Sequence, residues 1–451
     1  MPRVKQITPA TVVRDLIAGL VVVLVAVPLC LGIGQASGAQ IPPLAGILAG
    51  IVGGVVVGLL SGSQTSVSGP TAGLTAIVAT QVAGLGSFEA FLLALVIAGL
   101  LQIAMGAARL GFLSSYFPSS VIYGLIAAVG VILILKQVPH LLGHDVDPEG
   151  EMSFFQPDKE NTFSELLRTL RDIHPGAALV GILSFALLLI WDNVKPLKKL
   201  IVPPALLVIL LGVALSEVLG AIGGVWAIEA RHRVQLPAPE SLQEWRTLLH
   251  FADFSYLTNP SVYLAGLTIA LIASLESLLN IEAIDRLDPR QRVTPTSREL
   301  VAQGVGNLIC GVVGGLPVTS VIDKSSVNIH AGAQTQYAAV AHGVMLGACA
   351  FLLPVYVNHI PISCLAAVLL WAGAKLASPQ LFIRMYQNGT SQFLRFLITL
   401  AAIVFTNLLT GALIGLAIGL VSILRSNLLR PLRVIEEKRQ EGVVTRVELA
   451  N

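Results

Sequence analysis

Charge is scarce in this sequence: Asp, Glu, Lys and Arg make up 12% of its 451 residues, about half of the roughly 25% usual in soluble domains. That scarcity excludes an ordinary soluble domain. A hydrophobic share of 55% and a mean hydropathy of +0.81 leave a polytopic membrane protein, with the lipid bilayer as its solvent. Basic blocks interleaved with aromatics are missing and the formal net charge is only +2, which excludes nucleic-acid binding. Cysteine is limited to Cys30, Cys310, Cys349 and Cys364 with no CxxC spacing, so buried thiols are expected rather than disulfides or metal ligands. There is no HExxH, no GxSxG in a strand-turn-helix setting and no GxxxxGK[ST], so neither a membrane hydrolase nor an ATP-driven pump has its motif. A cleavable leader is not expected either, because "MPRVKQITPATVVRDL" runs straight into a long span without a small-residue cleavage pattern.

What is present is a succession of apolar runs near 20 residues long, each able to cross about 30 Å of hydrocarbon as a helix. Spans are predicted near 12–37, 41–61, 70–83, 88–108, 119–137, 175–192 and 201–222, then 260–281, 297–314, 322–334, 336–356, 360–377, 392–408 and 409–425. This divides the chain into an N-terminal segment 1–11, spans 1–5 within 12–137, an acidic loop 138–174, spans 6–7 within 175–222, a loop 223–259, spans 8–14 within 260–425 and a tail 426–451. With the N-terminus cytoplasmic, Arg3, Lys5, Arg14, Arg109, Lys195, Lys198, Lys199, Arg286, Arg290, Arg292, Arg298, Arg384, Arg425 and Arg430 fall inside, as the positive-inside rule asks. The expected setting is a cell inner membrane with both termini cytoplasmic.

Seven spans per half require the halves to insert with opposite orientation, the arrangement of an inverted repeat. Third in each half stands a short segment broken by Gly, Pro and hydroxyl residues, "SQTSVSGPTAGLTAIVATQ" and "GLPVTSVIDKSSVNIHAG". Extended backbone from Thr65 to Gly69 is expected to lead into a half-helix starting at Pro70, a residue favoured at the first helical position. Leu316 to Thr319 is expected to lead into a second half-helix starting near Ser320. Free N–H groups and two positive dipole ends would then meet in the middle of the membrane, a place suited to an anion. Hydroxyls of Ser68, Thr71, Thr319, Ser320 and Ser325 are at hand, and Lys324 adds a full charge. Gly, Pro, Ser and Thr are also ordinary packing residues of membrane helices; the matched positions of the two breaks and the intramembrane lysine are what favour a site.

Glu276, in "LTIALIASLESLLNIEAID", lies well inside span 8. A carboxylate there can carry a proton, bind Na⁺ or neutralise Lys324, and Asn280, one turn on, shares its face and offers an oxygen. Asp323 either caps the second half-helix or holds a coupling cation. Arg14 and Asp15 read as an interfacial pair, "RMYQNGTSQFLR" as an amphipathic connector, and His330 and His342 as packed or hydrogen-bonded. The charged tail ends in period-2 alternation, which predicts one strand opening a soluble domain.

Two stretches carry a family resemblance. "VAVPLCLGIGQASGAQIPPLAGILAGIVGGVVVGLLSGSQTSVSGPTAGLTAIV" and "QGVGNLICGVVGGLPVTSVIDKSSVNIHAGAQTQ" resemble spans 1–3 and 9–10 of the SulP anion transporters, solute carrier family 26. The resemblance implies a core of spans 1–4 and 8–11 moving against a gate of spans 5–7 and 12–14, a homodimer, and a cytoplasmic STAS domain of which the tail from about Arg430 is the start. It places the anion pocket at Leu29, Ile33, Thr71, Ala72 and Ile322, Asp323 and Lys324, and the binding of Na⁺ or H⁺ at Glu276. Asp323 departs from the small or apolar residue commoner there, and Leu29 and Ile33 from the Gln and Phe of animal members. The wording of spans 1 and 9 is nearest to bacterial members joined to or encoded beside carbonic anhydrases, which points to bicarbonate beside sulfate. The expectation is a cation-coupled secondary transporter of a small inorganic anion; a nucleobase or dicarboxylate transporter of the same architecture, or an anion channel or sensor, is the alternative.

Overall fold

The computed structural model describes residues 8–38, 40–147, 152–155, 161–194, 203–238, 244, 248–428, 432–439 and 442–449. The expectations resting on Arg3, Lys5, Lys195, Lys198, Lys199 and Arg430, on 148–151 and 156–160 of the acidic loop, and on the first two residues of span 7 lie outside the described residues. A helix or half-helix stands at each expected span: α1 (Pro9–Ala36), α2 (Leu44–Leu60), α3 (Ala72–Leu85), α4 (Phe88–Ala107), α5 (Ser119–Leu141), α6 (Pro175–Asn193), α7 (Pro204–Ile222), α8 (Pro260–Leu287), α9 (Thr296–Val313), α10 (Ile322–His330), α11 (Tyr337–Leu352), α12 (Ile362–Leu376), α13 (Thr390–Phe405) and α14 (Leu408–Leu428). Among the described residues seven helices are long and apolar enough to cross a membrane.

Local chemistry fixes where these helices start. Thr8, Ser87 and Asn259 cap α1, α4 and α8 through their side chains, with Pro9 and Pro260 at the first positions of α1 and α8, each hydroxyl or amide oxygen taking an N–H that would otherwise be unpaired in lipid. Inside α2 the turn Gly53–Val57 widens to a π-helix. A Cβ on Gly53 would lie 2.4 Å from the carbonyl oxygen of Ser68, so glycine is needed where extended backbone presses against the helix.

Packing sorts the helices into two sets. In one, α4 lies on α9 and α8, and α1 on α11 and α2; in the other, α5 lies on α12 and α13, α6 on α12, and α13 on α14. The sets meet where α1 and α10 touch α12 and where α8 touches α5. Between α5 and α6, inside the acidic loop, runs a short helix Thr162–Thr169 with a capping box between Asn161 and Ser164. Its Glu165 reaches back to Lys136 of α5 at 3.1 Å, both side chains buried.

Two expectations are corrected. Asp15 does not pair with Arg14; its carboxylate accepts the N–H of Gln334 at 2.6 Å and of Thr335 at 3.2 Å, and the Thr335 hydroxyl. Successive helical residues point about 100° apart, and the buried one caps the turn between α10 and α11. The tail holds two strands rather than one: Leu432–Arg439 and Gly442–Leu449 pair antiparallel, the charges from Glu436 to Arg439 having hidden the first from an alternation reading. "RMYQ" closes a helix Pro379–Gln387, and α13 begins at Thr390.

On the face opposite the N-terminus, the loop after α5 is clamped by a carboxylate. Asp145 accepts from His140 Nδ1 at 2.7 Å and from His232 Nδ1 at 2.6 Å. Burial raises its carboxyl, but the hydrogen bonds from the two imidazoles outweigh burial and hold it below the usual carboxylate range. Such a group stabilises the fold above the ordinary aspartate value near 3.9, and that contribution is lost as pH falls through the lowered folded value. Asp145→Asn is therefore expected to cost about 3 kcal/mol near neutral pH and progressively less below about pH 4, read as melting temperature against pH; an equal loss at pH 3 and pH 7 would exclude the charge as its source.

Candidate functional site

The two broken segments meet as a ribbon in the middle of the helical layer. β1 (Val67–Pro70) pairs antiparallel with β2 (Val318–Val321), with Ser68 opposite Ser320 and Pro70 opposite Val318. Both half-helices start later than the sequence suggests. Pro70 is the last strand residue, Thr71 is extended and caps the 3₁₀ turn Ala72–Leu74 by accepting the N–H of Gly73 at 3.3 Å, and the α-helix proper runs from Thr75. Ser320 is held in the strand opposite Ser68, so α10 opens at Ile322. Strand pairing and a hydroxyl cap at α3, and strand pairing at α10, outrank the residue that would suit a first helical turn.

Each predicted site residue can now be placed. Glu276 is 2% exposed; its Oε1 accepts the Thr71 hydroxyl at 2.6 Å, while Oε2 is buried without a hydrogen-bond partner. A Cβ on Gly73 would lie 2.6 Å from Glu276 Oε1, so the carboxylate is seated on the first turn of α3. The positive end of α3 thus already faces a protein carboxylate. Asn280, one turn along α8, donates Nδ2 to the carbonyl oxygen of Ser320 at 2.7 Å and leaves Oδ1 buried and unpartnered.

Asp323, in the first turn of α10, accepts the N–H of Lys324 on Oδ1 at 2.8 Å, the geometry of a first-turn carboxylate. Lys324 is 0% exposed. Its Nζ donates to Cys30 Sγ and to the carbonyl oxygen of Pro70, both at 3.3 Å, and a Cβ on Gly69 would come within 3.1 Å of it. Among the described residues no carboxylate lies within the 4.0 Å of an ion pair with this ammonium, so Glu276 does not neutralise it by contact. Ile322 is buried beside it, and Leu29 and Ile33 are buried on α1, in two different apolar cores. Cys30, between them in sequence, is the α1 residue bonded to the lysine.

Cavities approach this centre from two sides. One of about 310 Å³ runs along α3 from Ala72 and Gly73 past Thr75, Thr80 and Gln81 to Thr410. Another of about 900 Å³, on the N-terminal face, is lined by Arg14, Arg290, Arg292, His330 and Gln334 and ends on the last turn of α10. His330 is hydrogen-bonded through Nδ1 to the carbonyl oxygen of Ser326 at 2.7 Å, and His342 is fully buried.

The polar frame of the ribbon was missed in the sequence. Glu299, Gln303 and Asn307 recur every fourth residue on one face of α9, a stripe that an apolar helix has no reason to carry. Gln303 Nε2 donates to Ser68 Oγ and to Glu299 Oε1, both at 2.8 Å, and Asn328 Nδ2 donates to the carbonyl oxygen of Thr65 at 3.0 Å. Ser66 and Ser320 hydroxyls share a bond of 2.7 Å across the ribbon.

Apolar helices, two of them broken and abutting head to head on a buried ribbon, with a buried lysine that makes no ion pair among the described residues, define a helical membrane protein with a central polar site. The chain belongs to the sulfate permease family, whose profile matches residues 12–399, a family of transporters and not of enzymes. It is 27% identical to the putative sulfate transporter YvdB of Bacillus subtilis over 91% of this chain and 73% of that protein. It is 24% identical to the bicarbonate transporter BicA of Picosynechococcus over 74% of this chain, and 22% identical to the chloroplastic sulfate transporter 4.1 of Arabidopsis thaliana over 92%. The chain covers only 56% and 58% of those two relatives. The transmembrane domain of a cyanobacterial BicA matches at TM-score 0.58 and 23% identity, covering 90% of this chain and 96% of that one. SLC26A9 matches at TM-score 0.66 and 14% identity over 97% of this chain and 69% of that one; at these identities the likeness shows the fold.

Proposed function

We propose that this protein is a secondary active transporter of a small inorganic anion, sulfate or bicarbonate, driven by Na⁺ or H⁺ and working by alternating access. The observation that carries the reading is Lys324: an ammonium fully buried at the meeting of two half-helices, whose partners among the described residues are a thiol and a carbonyl. A buried charge without a contact ion-pair partner in a medium of low dielectric costs several kcal/mol, and an anion would supply that partner. The N-terminal face of α10 and the hydroxyls of Ser320 and Thr71 would complete the site, with Leu29, Ile33, Ala72 and Ile322 as its walls. Asp323 would hold the first turn of α10 in place.

The coupling ion belongs at Glu276. Two buried oxygens without partners among the described residues, Glu276 Oε2 and Asn280 Oδ1, belong to residues one turn apart on α8, the first of them bonded through Oε1 to the Thr71 hydroxyl; hard oxygens of this kind suit Na⁺, and a proton on the carboxyl would serve the same end. With Glu276 ionised, its charge opposes an incoming anion; with a cation or proton bound, the opposition is gone. That ordering makes the two bind together.

Fourteen crossings, a core of spans 1–4 and 8–11 moving on a gate of spans 5–7 and 12–14, a homodimer, an inner-membrane location with cytoplasmic termini, a STAS domain begun by the tail and a functional link to carbonic anhydrase complete the proposal. The two packing sets and the likeness in fold to the BicA transmembrane domain and SLC26A9 support the division into core and gate. Proteoliposomes loaded with buffer and given labelled bicarbonate, sulfate, fumarate or uracil, with and without Na⁺ and pH gradients, test it. Cation-driven accumulation of bicarbonate or sulfate is expected. Uptake of uracil or fumarate alone would assign the chain to a nucleobase or dicarboxylate carrier, and large unitary currents without counterflow would make it a channel. Gly73→Ala is expected to weaken the Na⁺ dependence of uptake several-fold, because its Cβ would stand 2.6 Å from Glu276 Oε1 and push the carboxylate off the first turn of α3; unchanged Na⁺ dependence in folded G73A would show that coupling does not require the carboxylate to rest on that turn.

A further inference from the structure

A two-stranded ribbon inside a membrane has a defect that the half-helices do not explain. Each strand has one partner, so each presents an outer edge of N–H and C=O groups where no water can reach. At Val318, which stands opposite Pro70 in a non-hydrogen-bonded pair, both backbone groups face that outer edge and not β1. Val318 donates its N–H to Asn307 Oδ1 at 2.6 Å, and Asn307 Nδ2 donates to the carbonyl oxygen of the same Val318 at 3.0 Å. One side-chain amide thereby supplies both bonds that a third strand would have made.

The amide is itself held. Asn307 Nδ2 also donates to Gln102 Oε1 of α4 at 2.7 Å, and Gln102 Nε2 donates to Ser274 Oγ of α8 at 3.2 Å. Asn307 and Gln102 are both 0% exposed. Two residues along the same strand edge, Asn280 holds the carbonyl oxygen of Ser320 at 2.7 Å. Thus α4, α8 and α9 together fix the height and rotation of β2, and β2 runs directly into α10 at Ile322.

We infer that Asn307 is a positioning residue for the central site: acting as the missing third strand, and oriented by Gln102, it sets where Ser320 and the first turn of α10, with Lys324, stand relative to α3. A residue that merely filled the α4–α9 interface would need neither a bond to each backbone group of one residue nor a second amide to orient it. Asn280 acts at the same edge through its nitrogen, which leaves only its oxygen for a cation.

The uptake arm of the test rests on the transport reading; the exchange arm does not. Full-length wild type, Asn307→Ala and Gln102→Leu are reconstituted in liposomes, and amide hydrogen exchange is followed by mass spectrometry in peptides covering β1, β2 and the remaining helices. Asn307→Ala is expected to speed exchange about tenfold in the β2 peptide with the distant α5–α7 helices unchanged, and Gln102→Leu to do so about threefold. Half-saturation for labelled bicarbonate or sulfate is expected to rise about tenfold in Asn307→Ala while the maximal exchange rate stays within about twofold. Unchanged β2 exchange, or an equal acceleration across every helix, would overturn the inference. If Asn307→Ala does not fold, Gln102→Leu decides by the same two outcomes. If wild type moves neither anion, the transport reading fails and the exchange result still decides for or against Asn307.

Discussion

Glu276→Gln is expected to leave a protein that still exchanges anion for anion but no longer accumulates it against a gradient. The substitution keeps the shape of the side chain and its bond with Thr71, held at 2.6 Å in the parent, and removes only the charge. In the parent the carboxylate rests on the first turn of α3, where a Cβ on Gly73 would touch it. A second negative charge arriving within about 6 Å, at an effective dielectric near 20, would meet about 3 kcal/mol of repulsion. Na⁺ or a proton at Glu276 removes that opposition, so anion affinity in the parent should rise about a hundredfold when the coupling cation is supplied. The glutamine variant should sit permanently in the neutralised state, with an affinity independent of Na⁺ and pH to within about twofold. Equilibrium binding of labelled bicarbonate or sulfate across a Na⁺ series at fixed pH, and a pH series without Na⁺, separates the two cations. An E276Q protein with undiminished Na⁺ or pH dependence would move the coupling site elsewhere.

Much of this centre was legible in the chain, and what was not has physical reasons. Glu276, Asp323 and Lys324 stand out because charge in an apolar run is costly, and the two breaks because glycine, proline and hydroxyl residues interrupt helices of otherwise uniform hydropathy. That the two breaks pair as strands was not read from the chain, although extended backbone in a membrane must find partners and the other break offers them. The contacts themselves were beyond reach. Thr71 meets Glu276 across 205 residues and Ser66 meets Ser320 across 254, and no local pattern encodes such a pairing. The half-helix starts were misplaced by one to a few residues because Pro70 and Ser320 suit a first helical turn as well as a strand end, and only pairing decides between them. Asp15 was read with its sequence neighbour, although a buried carboxylate serves whichever backbone N–H groups lack partners. The α9 stripe of Glu299, Gln303 and Asn307 was readable by its spacing and was passed over beside the charged residues.

Lys324→Met is expected to move stability and affinity in opposite directions, and that opposition separates a binding role from a packing role. The ammonium is fully buried, held by a thiol and a carbonyl at 3.3 Å each, and the neighbouring Asp323 carboxylate is engaged with the backbone N–H of Lys324. Replacing a buried charge that lacks a contact ion-pair partner by an apolar chain of similar length removes its desolvation cost, so the empty variant should melt at or above the temperature of the parent. The same change removes a charge-assisted hydrogen bond to the anion, worth about 1–3 kcal/mol, or roughly 5- to 150-fold in half-saturation. Added sulfate or bicarbonate should therefore raise the melting temperature of the parent by mass action and leave that of Lys324→Met unmoved. Lys324→Arg keeps the charge but must fit a planar fork beside Gly69, where a Cβ would already stand only 3.1 Å from the lysine Nζ, and should retain anion-dependent stabilisation at reduced affinity. If Lys324→Met loses stability and keeps the anion response, the lysine serves packing and the anion is held by the α10 N–H groups and Ser320 alone.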